Sequence, residues 1–284
     1  MPSLAEVLKQ SEDFLKSKGI AAAKLDAELL LSYLFRCNRL SLRLRLHDSM
    51  EEHLLPQLQQ LLFRRGNREP LQYIVGEVDF YGLSIIVDRN VLIPRHETEE
   101  LIDIIISHFG NRPIGSILDL GTGSGAIGLA LAKHFPKANI LAVDASQNAL
   151  STAQKNAIGN EITNIRFMVS DWLEGIDGTF DMIISNPPYL TDEEFENAQD
   201  EIKKFEPKSA LVSQNNGLAD IFKIIGTAGR SLTKDGILIL ETNGSQHESI
   251  ASFAKNYFGK FESMRDLNDK NRFVFLQNPR NLVS

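Results

Sequence analysis

From residue 114 onward, short apolar runs alternate with longer stretches of helical period, and no other feature narrows the possible folds so far. Residues 117–120 read as a buried strand, and 126–134 as a helix ended by Pro136. A second strand over 139–143 precedes a helix over 147–157 that Gly159 closes. Strands over 165–169 and 180–185 follow, then a helix near 221–232 and a strand over 236–241. Residues 261–265 and 272–276 read as a closing antiparallel pair. Parallel neighbours need crossover helices, so this pattern predicts an α/β, doubly wound, mostly parallel sheet.

The first seventy residues obey a different period. Leu4, Val7 and Leu8, then Leu25, Leu29, Leu30 and Leu34, then Leu54, Leu55, Leu58, Leu61 and Leu62 recur at helical spacing. A small helical bundle is expected there. Residues 1–68 hold 11 Lys and Arg against 8 Asp and Glu, in a chain of formal charge −7. That local excess suits an acidic partner surface, and a solvated helix face accounts for it equally well. Between Tyr73 and Pro94, apolar Val78, Phe80, Ile85, Val87 and Leu92 are interrupted by Gly76, Gly82 and Asp88-Arg89-Asn90, which predicts two short strands about a turn. Thr98 is expected to cap a helix over 99–108 that Gly110 stops. The expected organisation is a helical domain over 1–72, a β-hairpin linker over 73–97 and an α/β domain over 98–284.

Composition closes off several classes. A single cysteine, Cys37, excludes an intrachain disulfide and a thiolate cluster, and its apolar neighbours suggest a buried, inert thiol. The six histidines, His47, His53, His96, His108, His134 and His247, show no paired metal-ligand spacing, so no metal is expected. The N-terminus lacks the pattern of a signal peptide, and no apolar run approaches the roughly 18–20 residues of a membrane span, which predicts a cytoplasmic protein. The negative net charge counts against holding nucleic acid by its phosphates.

Asp119-Leu120-Gly121-Thr122-Gly123-Ser124-Gly125 lies between a predicted strand and helix, where glycines let backbone approach a ligand closely. Asp144 ends the next strand 23 residues after Gly121, in the place of a carboxylate that accepts from ribose hydroxyls. Asp171-Trp172 follows the third strand and offers a polar group and an aromatic face for adenine. The spacing G-x-G-x-G is not that of a dinucleotide loop, and no Lys-Ser/Thr follows it as in a P-loop. A nucleoside with a zwitterionic tail, S-adenosylmethionine, suits Gly121, Thr122, Gly123, Ser124, Gly125, Asp144 and Trp172 best. The alternatives are that Asp144 caps the helix near Gln147 and that Trp172 is core.

Ser185-Asn186-Pro187-Pro188-Tyr189 stands at the end of the fourth strand and so faces the same crevice. Prolines lack N–H groups, which lets the turn present carbonyls without a competing donor. The Asn186 side chain adds another acceptor, giving two for one planar –NH2 group, and Tyr189 adds a ring for stacking. Accepting both N–H bonds would aim a weak nitrogen nucleophile and stabilise the charge that grows on it. A plain tight turn is the alternative.

The chain resembles the release-factor glutamine N5-methyltransferases, the HemK/PrmC family, nearly end to end. The resemblance rests on Asp26-Ala27-Glu28-Leu29-Leu30, Glu69-Pro70-Leu71-Gln72-Tyr73-Ile74-x-Gly76, Phe80 and Leu92-Ile93-Pro94-Arg95-x-Glu97-Thr98-Glu99. The glycine loop, Asp144-x-Ser146, Asn186-Pro187-Pro188-Tyr189 and Phe205-Glu206-Pro207 complete it. It implies a Rossmann-like class I methyltransferase domain with a mostly parallel seven-stranded sheet, and a helical domain that docks class 1 peptide-chain release factors. It also implies cofactor contacts from Gly121 to Gly125, Asp144, Trp172 and Asn186, a grip on the substrate glutamine by Asn186 to Tyr189, and S-adenosylhomocysteine as product. Two departures, the position of Gly244 and Asp269 in place of a usual glycine, are expected to touch peripheral turns alone. Competing readings are a ribosomal-protein glutamine methyltransferase, an adenine-N6 or guanine-N2 nucleic-acid methyltransferase, and a non-catalytic cofactor-binding module. The Ile-Pro-Arg-x-Glu-Thr-Glu form favours the release-factor branch, and the charge balance argues against nucleic acid.

Overall fold

The computed structural model describes residues 1–110 and 113–280, so residues 111–112 and 281–284 of the expected 98–284 span lie outside it. Two compact units divide the chain: Met1–Glu77 with Gln199–Phe205, and Val78–Ala198 with Glu206 onward.

The first unit is helical. Its elements are α1 (Leu4–Ser17), α2 (Ala23–Leu34), α3 (Arg39–Leu44), α4 (Leu55–Gly66) and α5 (Leu71–Val75). Ser3 opens α1 with a capping box to Glu6, satisfying two backbone donors reciprocally. The leucines of helical period face inward: Leu4, Val7, Leu31, Leu42, Met50 and Leu58 form one buried cluster, and Leu15, Ile20, Ala23 and Ala27 another. Much of the basic excess is engaged inside this unit. Arg65, nearly buried, bonds Asp26 at 2.7 Å and Glu201 at 3.0 Å, while Glu28 takes Arg39 and Arg43 and Glu69 takes Arg64.

The second unit begins at Val78, within β1 (Glu77–Phe80), which pairs with β2 (Leu83–Ile86) and is followed by α6 (His96–Phe109). The alternation predicted from periodicity then appears as β3 (Ser116–Leu120), α7 (Ala126–His134), β4 (Asn139–Asp144), α8 (Gln147–Gly159), β5 (Ile165–Val169) and β6 (Phe180–Ser185). Helix Ala219–Ala228, β7 (Leu232–Glu241), helix His247–Ala254, β8 (Phe258–Arg265) and β9 (Asn271–Pro279) complete it. The seven strands run in the order β5-β4-β3-β6-β7-β9-β8, with β9 antiparallel to both neighbours and the rest parallel. This is the mostly parallel seven-stranded sheet expected, of Rossmann-like methyltransferase type. Its central strands are apolar on both faces because helices cover both: Leu118, Ile183 and Leu238 are wholly buried. Asn156 of α8 pins β2 by accepting from Ile86 N–H (2.7 Å) and donating to Ile86 C=O (3.0 Å). Among the described residues, no helix is long and apolar enough to cross a membrane.

Two local expectations change. The helix near 221–232 ends at Ala228 and β7 starts at Leu232, because Leu232 pairs with Phe180 of β6. Thr98 does not cap α6: the helix begins at His96, and the Thr98 hydroxyl donates to Glu241, 143 residues away in sequence. A local capping reading lost to a buried carboxylate delivered by the sheet.

Candidate active site

Strand register gathers the site. Leu120 pairs with Val143 on one side and with Ser185 on the other, so the segments after β3, β4 and β6 emerge together where strand order reverses. Gly121 to Gly125, Asp144 and Asn186 to Tyr189 all lie at that end.

The glycine turn has a separate need at each glycine. Gly121, Gly123 and Gly125 have φ of +66°, +56° and +85°. A Cβ on Gly121 would press the Trp172 ring at 3.2 Å, and one on Gly125 would meet Ala153 at 3.1 Å. Gly123 has no atom within 4 Å of that position, so its backbone stays approachable. Thr122 anchors the turn, its N–H donating to Val143 C=O (2.9 Å) and its hydroxyl to Asp119 Oδ2 (2.6 Å). Gly128 N–H donates to the same oxygen at 3.0 Å, whereas Asp119 Oδ1 is buried with no hydrogen-bond partner among the described residues. Burial raises the Asp119 carboxyl to about 6, against the hydrogen bonds from Thr122 and Gly128. Ser124 is buried, and its C=O accepts from Asn156 at 2.8 Å.

Asp144 Oδ2 accepts from Gly123 N–H at 2.9 Å and Oδ1 from Ser146 N–H at 2.8 Å. Ser146, not Asp144, caps α8, through a bond from Ala149 N–H. Trp172 sits at φ +56° and is half-buried, packed partly on the core and partly along Gly121. Its indole N–H donates to Asp220 Oδ1 at 3.0 Å, and the Ser213 hydroxyl holds the other Asp220 oxygen. Asp171 is engaged by Lys223 at 2.6 Å.

The Asn-Pro-Pro-Tyr turn is braced from three sides. The Ser185 hydroxyl donates to Leu120 C=O at 2.7 Å, tying β6 to the start of the glycine turn. Leu190 bridges the 211–213 segment, its N–H donating to Leu211 C=O and its C=O accepting from Ser213 N–H. Gln246 Nε2 donates to Tyr189 C=O (2.9 Å) and Asn216 C=O (3.1 Å). Pro187 and Pro188 are buried, while Asn186 and Tyr189 are half-buried. Asn186 Nδ2 lies 3.4 Å from Thr98 Oγ1, which donates to Glu241 Oε2 at 2.8 Å. Burial pushes the Tyr189 phenol up to about 12, and the charge of Glu241 adds to it.

The sequence reading missed Asp119, Gln246, Gly217, Asp220 and the true partners of Thr98 and Glu241. An aspartate inside an apolar strand was the one local signal, at Asp119. The turn after β7 is not peripheral as expected, since Gln246 holds the Tyr189 carbonyl. Asp269 takes φ +61°, the conformation for which glycine is the usual residue, and bonds Arg265 at 2.7 Å.

Glu241 is almost wholly buried, and burial raises its carboxyl to about 7 against hydrogen bonds from Thr98 and Asn186 and the charge of Arg272. A carboxyl raised on folding gives stability that is complete below its ordinary value and lost as pH rises through the folded one. Glu241→Gln, which cannot ionise, is therefore expected to gain stability over the wild type between pH 5 and 8, by on the order of 2–3 kcal/mol. Urea midpoints at several pH values measure this, and parallel curves for the two proteins would contradict it.

The chain matches the family model "Methyltransferase small domain" over residues 101–277 and "PrmC N-terminal domain" over residues 6–76. It is 38% identical over 249 residues to the release factor glutamine methyltransferase of Escherichia coli K12, covering 87% of this chain and 89% of that protein. It is 36% identical over 275 residues to the Haemophilus influenzae protein of the same name, covering 92% and 93%. Among solved structures, the Thermus thermophilus 16S rRNA N2 G1207 methyltransferase in complex with AdoMet and guanosine shares the fold. That match has a TM-score of 0.53 at 17% identity, over 71% of this chain and 49% of that one.

Proposed function

The chain belongs to the release factor glutamine methyltransferases, and from that membership we propose that it methylates the side-chain amide N5 of the glutamine in the Gly-Gly-Gln motif of class 1 peptide-chain release factors, with S-adenosylmethionine as donor. The observation that carries the reading is the convergence of the glycine turn and the Asn186 turn at one end of the sheet.

The residues present fit that donor. Gly123 leaves backbone open to close approach, Asp119 and Asp144 place carboxylates behind and beside the turn, and Trp172 offers a fixed aromatic ring. Gly121 to Gly125, Asp144, Trp172 and Asn186 would hold it. When bound, S-adenosylmethionine would supply a methyl group activated by positively charged sulfur, and the amide nitrogen that takes it would release one N–H proton to water.

The chain's own part is positional. Asn186 Oδ1 and a backbone carbonyl of the Pro187-Pro188 turn accept the two N–H bonds of the substrate amide, which aims its lone pair and stabilises the charge developing on nitrogen. Tyr189, its carbonyl fixed by Gln246, limits where the flat amide can lie. Holding two reactants in one orientation removes much of the entropic barrier to the transfer. The product is S-adenosylhomocysteine, the reaction runs in the cytoplasm, and the helical domain docks the release factor.

Mass spectrometry of a purified release factor incubated with this protein and S-adenosylmethionine tests the reading. A gain of one methyl on the Gly-Gly-Gln glutamine is expected. A methyl on another protein's glutamine would move the substrate, and salt-sensitive methylation of ribosomal RNA or duplex DNA would replace the reading.

A further inference from the structure

Thr98 and Glu241 are the buried polar groups of the site that the reading above leaves without a task. They come from the first turn of α6 and the last residue of β7, the strand beside β6, and their exposures are 4% and 1%. The direction of the bonds around them follows from chemistry. Once ionised, Glu241 accepts only, so the Asn186 side chain donates to it, and in the 2.8 Å bond the Thr98 hydroxyl donates to it as well. That donation uses the hydroxyl's single proton, and the Thr98 oxygen can then only accept. The group 3.4 Å from it must therefore be the –NH2 end of Asn186, which leaves Oδ1 as the end turned away.

This polarity matters because an asparagine amide can turn over with little change of shape. With Oδ1 toward the substrate, an acceptor meets an –NH2 group. Turned over, two donors face each other, a bond is lost, and neither donor is satisfied. Resting on the reading that Asn186 grips the substrate amide, we propose that Thr98 and Glu241 are positioning residues that fix the orientation of the Asn186 side chain, so that its carbonyl oxygen is always the end presented to the substrate. Glu241, once ionised, sets the polarity both directly and through Thr98, and Asn186 delivers it. This gives a task to two residues of the Ile-Pro-Arg-x-Glu-Thr-Glu and Glu241-Thr242-Asn243 segments that contribute no direct contact with the substrate amide in the mechanism above.

The test compares Thr98→Val, which keeps the shape and removes the hydroxyl, with Thr98→Ser, which keeps the hydroxyl. Thr98→Val is expected to lower kcat for release-factor methylation about 10- to 100-fold, with the Kd for S-adenosylmethionine within about two-fold of wild type. Thr98→Ser is expected to restore kcat to within about three-fold, a rescue that a packing role for the methyl group would not give. A second readout needs no turnover: the Asn186 side-chain –NH2 pair in ¹⁵N-labelled protein, identified by its absence in Asn186→Asp. In wild type and Thr98→Ser one of its protons is expected to be protected from exchange, and in Thr98→Val that protection is expected to fall, with the bond to Glu241 alone remaining. An –NH2 pair unmoved by Thr98→Val, or a Thr98→Val enzyme within two-fold of wild-type kcat, overturns the proposal. If wild type transfers no methyl to a release factor while the pair still responds to Thr98→Val, the orientation holds and it is the substrate reading that fails.

Discussion

Asn186→Ala is expected to cut methyl transfer by about 10²- to 10³-fold while weakening S-adenosylmethionine binding less than about five-fold. The two effects separate because the site is built from independent supports. The glycine turn is held by Asp119, Asp144 and Val143, and Trp172 by Asp220, and none of these bonds passes through Asn186. Removing the side chain deletes one of the two acceptors for the substrate amide and leaves the rest of the donor's cradle, the glycine turn, Asp144 and Trp172, standing. The loss should fall mainly on kcat, since stabilising the charge on nitrogen is an interaction made in the transition state. Single-turnover methylation with calorimetric measurement of cofactor binding would show this. Unchanged transfer would mean that Asn186 does not hold the substrate amide, and unchanged biological activity without transfer would favour a non-catalytic cofactor-binding module.

Gly217→Ala should be the most damaging single change away from the reacting groups. Asn215, Asn216 and Gly217 take φ of +53°, +56° and +77°, three left-handed residues in succession, which L side chains resist. A Cβ on Gly217 would lie 2.1 Å from the Tyr189 carbonyl oxygen and 2.6 Å from Gln246 Nε2. Neither neighbour can swing aside cheaply, because one is backbone and the other holds that same carbonyl at 2.9 Å. Accommodating the methyl must therefore displace the Asn-Pro-Pro-Tyr turn. A loss of about 3 kcal/mol or more in stability is expected, with methyl transfer reduced at least 10²-fold at temperatures where the variant is folded. Gly175→Ala is the control: its φ is +69° with no atom within 4 Å of the added Cβ, so it measures the backbone cost alone, about 1 kcal/mol. Equal losses in the two variants would show that the contact with Tyr189 is immaterial.

What the sequence alone determined is what short-range chemistry can carry. Alternating apolar runs and helical periods specify strands joined by crossovers, because each element must bury its own face. The three glycines of the Gly121–Gly125 turn mark backbone that takes left-handed angles, and consecutive prolines mark a turn without donors. Those signals sit within a few residues of each other, so they survive without knowledge of the partners. Tertiary structure alone decided which polar groups brace the site. Thr98 reads as a helix cap in the sequence but its hydroxyl meets Glu241 at the end of β7, and Gln246 reads as part of an outlying turn but meets the Tyr189 carbonyl. Asp220 and Gly217 likewise had no local signature, since their partners Trp172 and Tyr189 lie 48 and 28 residues away in sequence. A hydroxyl or carboxylate can bond equally well to water, to its own turn or to a distant strand. Only burial, which removes water as a partner and charges the full cost of an unmade bond, selects among them.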